Sequence, residues 1–527
     1  DDADIRYPST DGKTIVYERD GYLYAFDVAS KQIEKLAPHI ASENLIARPA
    51  LRPLGNQITS AALSPSGVRL AVEARGEIFS VPAKSGDTRN ITNTPASRER
   101  FPQWSPDGKS VAWFSDESGE YALHIGTPDG LGAVRRIALG EPPSFFYEPL
   151  WSPDSRKLVY SDKRLNLWLL DLDHPTPVKI DTDRYDSPLY RLSPAWSPDS
   201  QTVVYTKQLP SHLHALTAYS LATRKLHTLT DGAADVRTPK FDRDGRVLYF
   251  IGSTDEGEGA GWLDMSSLGR ARSAAVYAMV LTADGASPVA PLSDEDGDSA
   301  TGPEPGKDAK ASVPAVRIDY EGIGDRIVRL PLPVANYQRL DVARNAVFAL
   351  RRPVAESDSD YLHGKEATPA DVIRYDTATR KSAPWVSGVE LWSFQVSADG
   401  QHAAYQQGEK WLIVQSDKEP KGEEGALALE NAQLWIDPRA EWAQIYHETW
   451  RIERDFQDLK QEIGLDHYEG RGWRGFHHHA ALSIAAYGFL VAERSPIPPS
   501  APIIRALGGK VGIEAEAYRP RGAAPAP

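Results

Sequence analysis

The sequence predicts an all-β fold: a seven-bladed β-propeller with a partial blade before it and a short α-helical tail after it. Turn signals return with a period in the forties over most of the 527 residues, and each precedes an alternating or β-branched run typical of a strand. About four strands fit each period, as in one propeller blade. From residue 450 the sequence becomes helical, aromatic and histidine-rich.

Six turn signals define the repeat. They are LSPSG from Leu63, WSPDG from Trp104, WSPDS from Trp151 and Trp196, FDRDG from Phe241, and VSADG from Val396. The first five lie 41, 47, 45 and 45 residues apart. The gap of 155 residues before the last signal contains a segment around Leu340 that has lost the Pro-Asp-Gly turn. Counting that segment gives seven anchors, and hence seven blades.

The ring is predicted to span residues 41–437. Its acidic, Gly/Pro/Ser-rich segment 292–312 is predicted to be a disordered loop on one blade. Residues 7–36 form an eighth copy, either an extra blade or the remnant of another propeller. We favour a remnant within residues 1–40, because the chain begins without an initiating Met and we expect its amino terminus to be incomplete.

The tryptophans and the Ser-Pro-Asp turns that recur at the anchors are interpreted as structural. Trp104, Trp151 and Trp196 are predicted to fill the wedges between neighbouring blades, each burying on the order of 200 Å². Ser-Pro-Asp is interpreted as turn chemistry, in which Asp caps the backbone and Pro fixes φ. We therefore do not interpret it as a catalytic serine with its acid.

Composition excludes several classes of site and partner. With 73 Asp and Glu against 59 Lys and Arg, the net charge of -14 disfavours binding to nucleic acid or to an anionic membrane. The chain has no Cys, which excludes disulfides, thiolate metal sites and a cysteine nucleophile. No run approaches the roughly 18 apolar residues of a spanning helix, so we expect a soluble, cytoplasmic chain.

The histidines do not predict a metal centre. His212 and His214 are the nearest to a pair, and a spacing of two would place them on one strand face. Without a carboxylate partner, we interpret them as surface histidines rather than ligands. His477, His478 and His479 would project about 100° apart on a helix and cannot converge on one ion. We assign no catalytic residue, no metal ligand and no cofactor.

Segments between the anchors resemble one peptidase family. Three of them are ARGEIFSVPAKSGDTRNITNTPASRERFPQWSPDG, SDESGEYALHI and LWIDPRAEWAQIYHETWRIERDF. They resemble the second, seven-bladed propeller of the tricorn proteases, and the resemblance runs from about residue 1 to Phe456. It implies a serine peptidase that trims oligopeptides, in which propellers guide peptides toward a separate catalytic half. Residues 438–456 would begin the helical subdomain of that family, and no catalytic residue can be carried over.

The carboxyl-terminal segment resembles another family. RIERDFQDLKQEIGLDHYEGRGWRGFHHHAALSIAAYGFLV is similar to the end of DDE-type transposases of insertion sequences. Tyr446, Glu453 and Lys460 match the Tyr, Arg, Glu, Lys signature of that family, whereas Thr449 replaces the Arg. By this resemblance Glu453 would be one of three metal-binding acids, but a single carboxylate cannot hold two Mg²⁺ ions. Residues 457–527 are predicted to be a fused, transposase-like helical tail with a disordered end.

Three functions are compatible with these features. We favour the non-catalytic, peptide-guiding propeller portion of a tricorn-type serine peptidase, in a chain that ends before the catalytic half. The alternatives are a peptidase whose catalytic half is supplied by another chain, and a DNA-binding tail derived from a transposase. Peptides in the propeller channel are the expected partners, and self-association is left open. We expect neither nucleic acid nor membrane as a partner.

Overall fold

The fold is known from a computed structural model that describes most of the chain up to residue 449. The described residues are 5–19, 22–37, 45–54, 57–185, 192–254, 273–290, 315–352, 368–429 and 432–449. The predicted loop 292–312 and the tail from residue 450 lie outside them. Among the described residues the chain forms two compact units, which divide after Arg48.

The described residues of the first unit form an antiparallel sheet and a short 3-10 helix at Leu45–Ala47. Its strands are β1 (Arg6–Thr10), β2 (Thr14–Arg19), β3 (Tyr22–Asp27) and β4 (Ile33–Leu36). They pair in the order β1-β2-β3-β4. The sequence predicted a partial blade here, and this was wrong, because all four strands are present. The fourth strand is short and largely exposed, so it carries little hydrophobic pattern.

Strands are the main secondary structure of the described residues of the second unit. Its first half contains β5 (Ala50–Pro53), β6 (Ile58–Leu63), β7 (Arg69–Ala74), β8 (Glu77–Pro82), β9 (Arg89–Asn90), β10 (Glu99–Trp104), β11 (Val111–Ser115), β12 (Ala122–Gly126), β13 (Arg135–Ile137), β14 (Phe146–Trp151), β15 (Lys157–Asp162), β16 (Asn166–Asp171), β17 (Val178–Thr182), β18 (Ala195–Trp196), β19 (Thr202–Gln208), β20 (His214–Ser220) and β21 (Lys225–Thr228).

The second half of this unit continues the pattern and ends in a helix. Its strands are β22 (Asp235–Phe241), β23 (Val247–Ser253), β24 (Ala275–Val280), β25 (Ile327–Arg329), β26 (Asn336–Ala343), β27 (Ala346–Arg352), β28 (Ala370–Asp376), β29 (Lys381–Val389), β30 (Gln395–Val396), β31 (His402–Gln407), β32 (Lys410–Gln415) and β33 (Gln433–Ile436). Two 3-10 helices lie at Ile323–Arg326 and Leu391–Ser393. The helix α1 occupies residues 438–449 of the described chain.

Successive strands pair as antiparallel meanders. In the described part of this unit, five four-stranded sheets follow one another: β6–β9, β10–β13, β14–β17, β18–β21 and β22–β25. A seven-stranded sheet then combines β26–β29 with β30–β32 through a single pair, Val389 with Gln407. The strands predicted after the turn signals are confirmed, since β7, β11, β15, β19, β23 and β31 follow them directly.

The sheets pack on one another in a closed succession. Strand β10 contacts both β6 and β14, β22 contacts β18 and β26, and β30 contacts β26 on one side and β6 on the other. Val159, Trp196 and Tyr205 share one buried cluster, which joins the β14–β17 sheet to the β18–β21 sheet. The last strands therefore return to the first ones.

The last strands of the second unit are joined to its first strands by strand pairing and by a shared hydrophobic core. Strand β33 pairs antiparallel with β5, so residues near position 435 lie beside residues near position 51. The Gln395 side chain accepts a hydrogen bond from the Leu63 N–H and donates one to the Ala61 carbonyl, at 2.7 and 3.0 Å. Trp411 and Val72, from the last and first sheets, belong to one buried cluster.

The anchor residues have the structural roles that the sequence predicts. Trp104, Trp151 and Trp196 are 9%, 6% and 7% exposed. The Trp151 indole N–H donates to the Gln103 carbonyl of the preceding sheet at 3.2 Å, and the Trp196 indole donates to the Leu150 carbonyl at the same distance. The interpretation of these residues as wedge-filling core is confirmed.

The Ser-Pro-Asp turns are closed by their own side chains. The Ser105 hydroxyl donates to Asp107 Oδ1 at 2.6 Å and accepts the Ser110 N–H at 3.0 Å. The same arrangement returns at Ser197 and in the Ser-Ala-Asp turn at Ser397, each with the aspartate two residues later. These serine hydroxyls are therefore engaged in turn geometry.

Candidate functional site

The first strand of each sheet lies nearest to the middle of the succession. Strand β10 contacts β6 and β14, β22 contacts β18 and β26, and β30, which opens the second half of the seven-stranded sheet, contacts β26 and β6. In a closed ring of sheets, the strands that touch at the smallest circumference are the innermost ones. Any group that passes through the middle would therefore meet the side chains of these strands.

These inner strands share a bulge that redirects side chains. The pairing register shifts after Arg100, Tyr147 and Arg237. The next residue in each case, Phe101, Glu148 or Thr238, has a positive φ, of 55°, 45° and 49° respectively. A proline follows each of them, and because it lacks an N–H it cannot extend the ladder. Bulges commonly re-aim side chains at functional surfaces.

Our sequence interpretation missed this feature, although its signal is present. Proline stands two residues before each of four anchor aromatics, at positions 102, 149, 194 and 239. Proline within a strand pattern indicates an edge strand or a bulge. The inner strand of each sheet is such an edge.

Glu148 and Arg339 place opposite charges on two inner strands, β14 and β26. Glu148 is exposed although it lies on the inner strand β14, while Arg339 on β26 is half-buried. Burial lowers the pKa of the Arg339 guanidinium, while the carboxylates of Asp341 and Glu148 raise it. The β14 and β26 sheets are not neighbours in the succession, so Glu148 acts on Arg339 over a distance and not as a contacting ion pair.

Other polar contacts fix the inner strand β26. Arg339 donates to the Trp392 carbonyl at 2.9 Å. Asp341 lies 3.6 Å from the Lys240 ammonium, and its other oxygen accepts the Val396 N–H at 3.0 Å. Because these contacts join the β22, β26 and β30 strands, the charged side chains of this region are held in place.

Helix α1 docks on the first two sheets of the second unit through polar contacts. The Glu448 carboxylate, 6% exposed, accepts hydrogen bonds from Arg98 at 2.7 Å and from the Tyr121 hydroxyl at 2.9 Å. Gln444 donates to Asp116 at 3.0 Å, and Glu441 pairs with Arg75. Burial acts to raise the pKa of Glu448, but Arg98 and the hydrogen bonds outweigh it, so the pKa is lowered overall.

Only part of the predicted transposase-like signature lies within the described residues. The helix begins at residue 438. Tyr446 is 59% exposed, and the Thr449 hydroxyl donates to the Ile445 carbonyl at 2.8 Å. Glu453, Lys460 and the histidines at 477–479 lie outside the described residues.

The interpretation of His212 and His214 requires correction. His212 lies in a turn with a φ of 64°, and β20 begins only at His214, so the two do not share a strand face. His214 is buried, and its Nδ1 lies 2.8 Å from Asp235 Oδ1. The carboxylate partner comes from the next sheet, 21 residues later, which a local pattern could not show. Within the described ranges, no group of three or more potential ligands could hold a metal ion.

The comparisons with known proteins agree with this architecture. The family model of the tricorn protease second beta propeller domain matches residues 58–417. The chain belongs to this family. The resemblance predicted from the sequence is thereby confirmed for the tricorn propeller, and the match covers the strands from β6 to β32.

Relatives and solved structures of the tricorn family match most of the chain. Tricorn protease homolog 1 of Streptomyces coelicolor is 26% identical over 479 residues, which cover 88% of this chain and 44% of the relative. The tricorn protease homolog of Saccharolobus solfataricus is 24% identical over 467 residues, covering 85% and 39%. A crystal structure of the tricorn protease matches with a TM-score of 0.65 at 18% identity, covering 89% of this chain and 44% of that one. The chain thus spans less than half the length of these three proteins.

One further property of the tricorn-family chain concerns membranes. No helix in the part that the structure describes is long and apolar enough to cross a bilayer.

Proposed function

We propose that this chain is the peptide-guiding, non-catalytic propeller portion of a tricorn-type serine peptidase that acts on oligopeptides. The observation that carries the proposal is the match of residues 58–417 to the tricorn propeller family, in a closed succession of sheets that has Glu148 and Arg339 on inner strands. Opposite charges on inner strands can bind both backbone polar groups and charged side chains of an extended peptide. The hydroxyls of Ser105, Ser197 and Ser397 are occupied by closing the turns of the repeat, which supports a guiding role for the ring rather than chemistry by these residues.

The proposal includes the number of blades and the domain boundaries. We propose seven blades within residues 41–437: the five four-stranded sheets and the two halves of the seven-stranded sheet. Residues 1–40 are proposed to be a blade of a preceding propeller, and residues 438–456 the start of the helical subdomain. A cytoplasmic location remains a prediction.

We also propose that residues 457–527 derive from a transposase. This proposal rests on the signature residues Tyr446, Glu453 and Lys460 in the sequence. Sequencing the DNA around the gene tests it, because an insertion element leaves its terminal inverted repeat next to the fusion point. An uninterrupted tricorn reading frame across this point would overturn the fusion.

The guiding function is tested by blocking the middle of the ring. Because the chain has no Cys, Glu148→Cys creates a single thiol that can be modified with a bulky maleimide. We expect the label to weaken binding of a fluorescent, unstructured oligopeptide at least about 10-fold, measured by anisotropy. The matched control is Arg89→Cys on the exposed strand β9, where the same label leaves binding unchanged. Equal binding by both labelled proteins would refute the guiding role.

A further inference from the structure

A basic–aromatic cluster lies at the start of the inner strands β10 and β14. We define it by its members: Arg100, Phe101, Tyr121, Phe145, Tyr147 and Lys163. The Arg100 guanidinium carbon is 4.9 Å from the centroid of the Phe101 ring and 5.9 Å from those of Tyr121 and Tyr147. The rings of Tyr121 and Phe145 are 5.4 Å apart, and the Lys163 ammonium lies 5.8 Å from the Phe145 ring.

Arg100 is held by rings and not by an acid. Its guanidinium has no hydrogen-bond acceptor and no carboxylate partner among the described residues, and its nitrogen atoms are not sealed from solvent. The neighbouring arginines differ, since Arg98 pairs with Glu448 and Arg136 pairs with Glu117. Cation–π attraction to these rings holds the Arg100 guanidinium in place.

This arrangement leaves a pre-oriented set of donors. Three aromatic rings lie within cation–π distance of the guanidinium, and the N–H groups of its planar fork have no acceptor among the described residues. A planar carboxylate matches that fork with two parallel hydrogen bonds. The surrounding rings would contact an apolar group attached to the carboxylate.

We propose that the basic–aromatic cluster binds a carboxylate of a peptide, with Arg100 as the residue that recognises it. This inference rests on the proposed guiding function and names the peptide feature that the ring selects. Two sources carry the same chemistry: the carboxyl terminus of the peptide, and an Asp or Glu side chain. Glu148 directly follows Tyr147 on β14, so a peptide held at Arg100 has its next residues close to the middle of the unit.

The experiment compares three fluorescent octapeptides of one otherwise uncharged, unstructured sequence. The first has a free carboxyl terminus, the second a carboxyl-terminal amide, and the third the amide with one internal Glu. We expect the wild-type protein to bind the first or the third roughly 10-fold more tightly than the second, as a charge-assisted bidentate pair implies. Which of the two is preferred identifies the source of the carboxylate.

Variants of Arg100 assign the preference to this residue. We expect Arg100→Gln to remove the preference, so that this variant binds all three peptides with equal affinity. Arg100→Lys keeps a smaller preference, because an ammonium has the charge without the planar fork. The matched control Arg89→Gln, which removes an exposed arginine elsewhere, retains the full preference. Circular dichroism checks that each variant is folded. If a variant does not fold, the comparison of the three peptides on the wild-type protein still tests carboxylate recognition.

Failure of this proposal can be told apart from failure of the guiding function. Equal wild-type affinity for all three peptides overturns carboxylate recognition and leaves guidance standing. A preference that survives in Arg100→Gln overturns the assignment to the cluster. If no peptide binds the wild type, both proposals are wrong. Binding of the small acid N-acetylphenylalanine and of its amide can be compared by NMR. This comparison tests the cluster separately from the binding of a longer peptide.

Discussion

The docking of α1 can be tested by removing one carboxylate. Glu448→Ala deletes the acceptor of two hydrogen bonds between the helix and the sheets, from Arg98 and from the Tyr121 hydroxyl. Hydrogen bonds to a charged group contribute about 1.5–3 kcal/mol each. The Arg98 side chain is 44% exposed, so its share is reduced by solvent screening, and we expect a loss of about 2 kcal/mol in total.

We expect this loss of docking free energy to promote local opening of α1 and not unfolding of the sheets. A change of about 2 kcal/mol corresponds to roughly 30-fold faster amide exchange of α1 when opening limits protection. Hydrogen–deuterium exchange of the peptide covering residues 438–449 measures it. The matched control is His447→Ala, which removes an exposed side chain from the same helix and should not accelerate exchange.

Two results would refute the reasoning. If exchange in α1 rises less than about 3-fold in Glu448→Ala, the polar contacts do not hold the helix. If β10 and β11 accelerate as much as α1, the carboxylate stabilises the sheets themselves and not the docking.

Two further predictions concern pH and catalysis. Burial raises the pKa of Glu99 from its ordinary 4.5 to about 8, so the folded state retains a proton that the unfolded state releases. Stability should therefore fall as pH rises from 4.5 to 8, and relative to wild type Glu99→Gln should gain on the order of 3 kcal/mol between pH 5 and pH 8 in urea unfolding. The exposed control Glu419→Gln should show no such gain, and a parallel pH profile for wild type and Glu99→Gln would contradict the prediction. The purified protein should hydrolyse no peptide and react with no serine-directed phosphonate; labelling of one defined serine, lost on its substitution, would show the opposite.

The repeats could be predicted because their contacts are local. A Ser-Pro-Asp turn is closed within six residues, as in Ser105 to Ser110, and it directly determines the hairpin that follows. The anchor aromatics could be assigned to the core for the same reason, since each returns at a fixed place before such a turn. Burial and the indole hydrogen bonds of Trp151 and Trp196 then follow from stacking one sheet on the next.

The features that escaped prediction depend on long separations in sequence. Pairing of β33 with β5 joins two four-residue strands about 380 residues apart, and neither is long enough to show a period. The contacts of Glu448 with Arg98 and Tyr121 span 350 and 327 residues. His214 obtains its acid from the following sheet. No local spacing could have indicated these partners, because the closed succession of sheets creates them.

The strand that closes the ring, β33, is connected to the basic–aromatic cluster through helix α1. Strand β33 ends at Ile436, and α1 begins at residue 438, so the strand that closes the ring also determines where the helix starts. From that start, about 1.5 Å of rise per residue carries Glu448 roughly 15 Å along the helix, where it meets Tyr121. The Tyr121 ring is also one of the three that hold Arg100. A ligand bound at Arg100 and the docking of α1 therefore share one side chain, and each should stabilise the other by fixing the same ring.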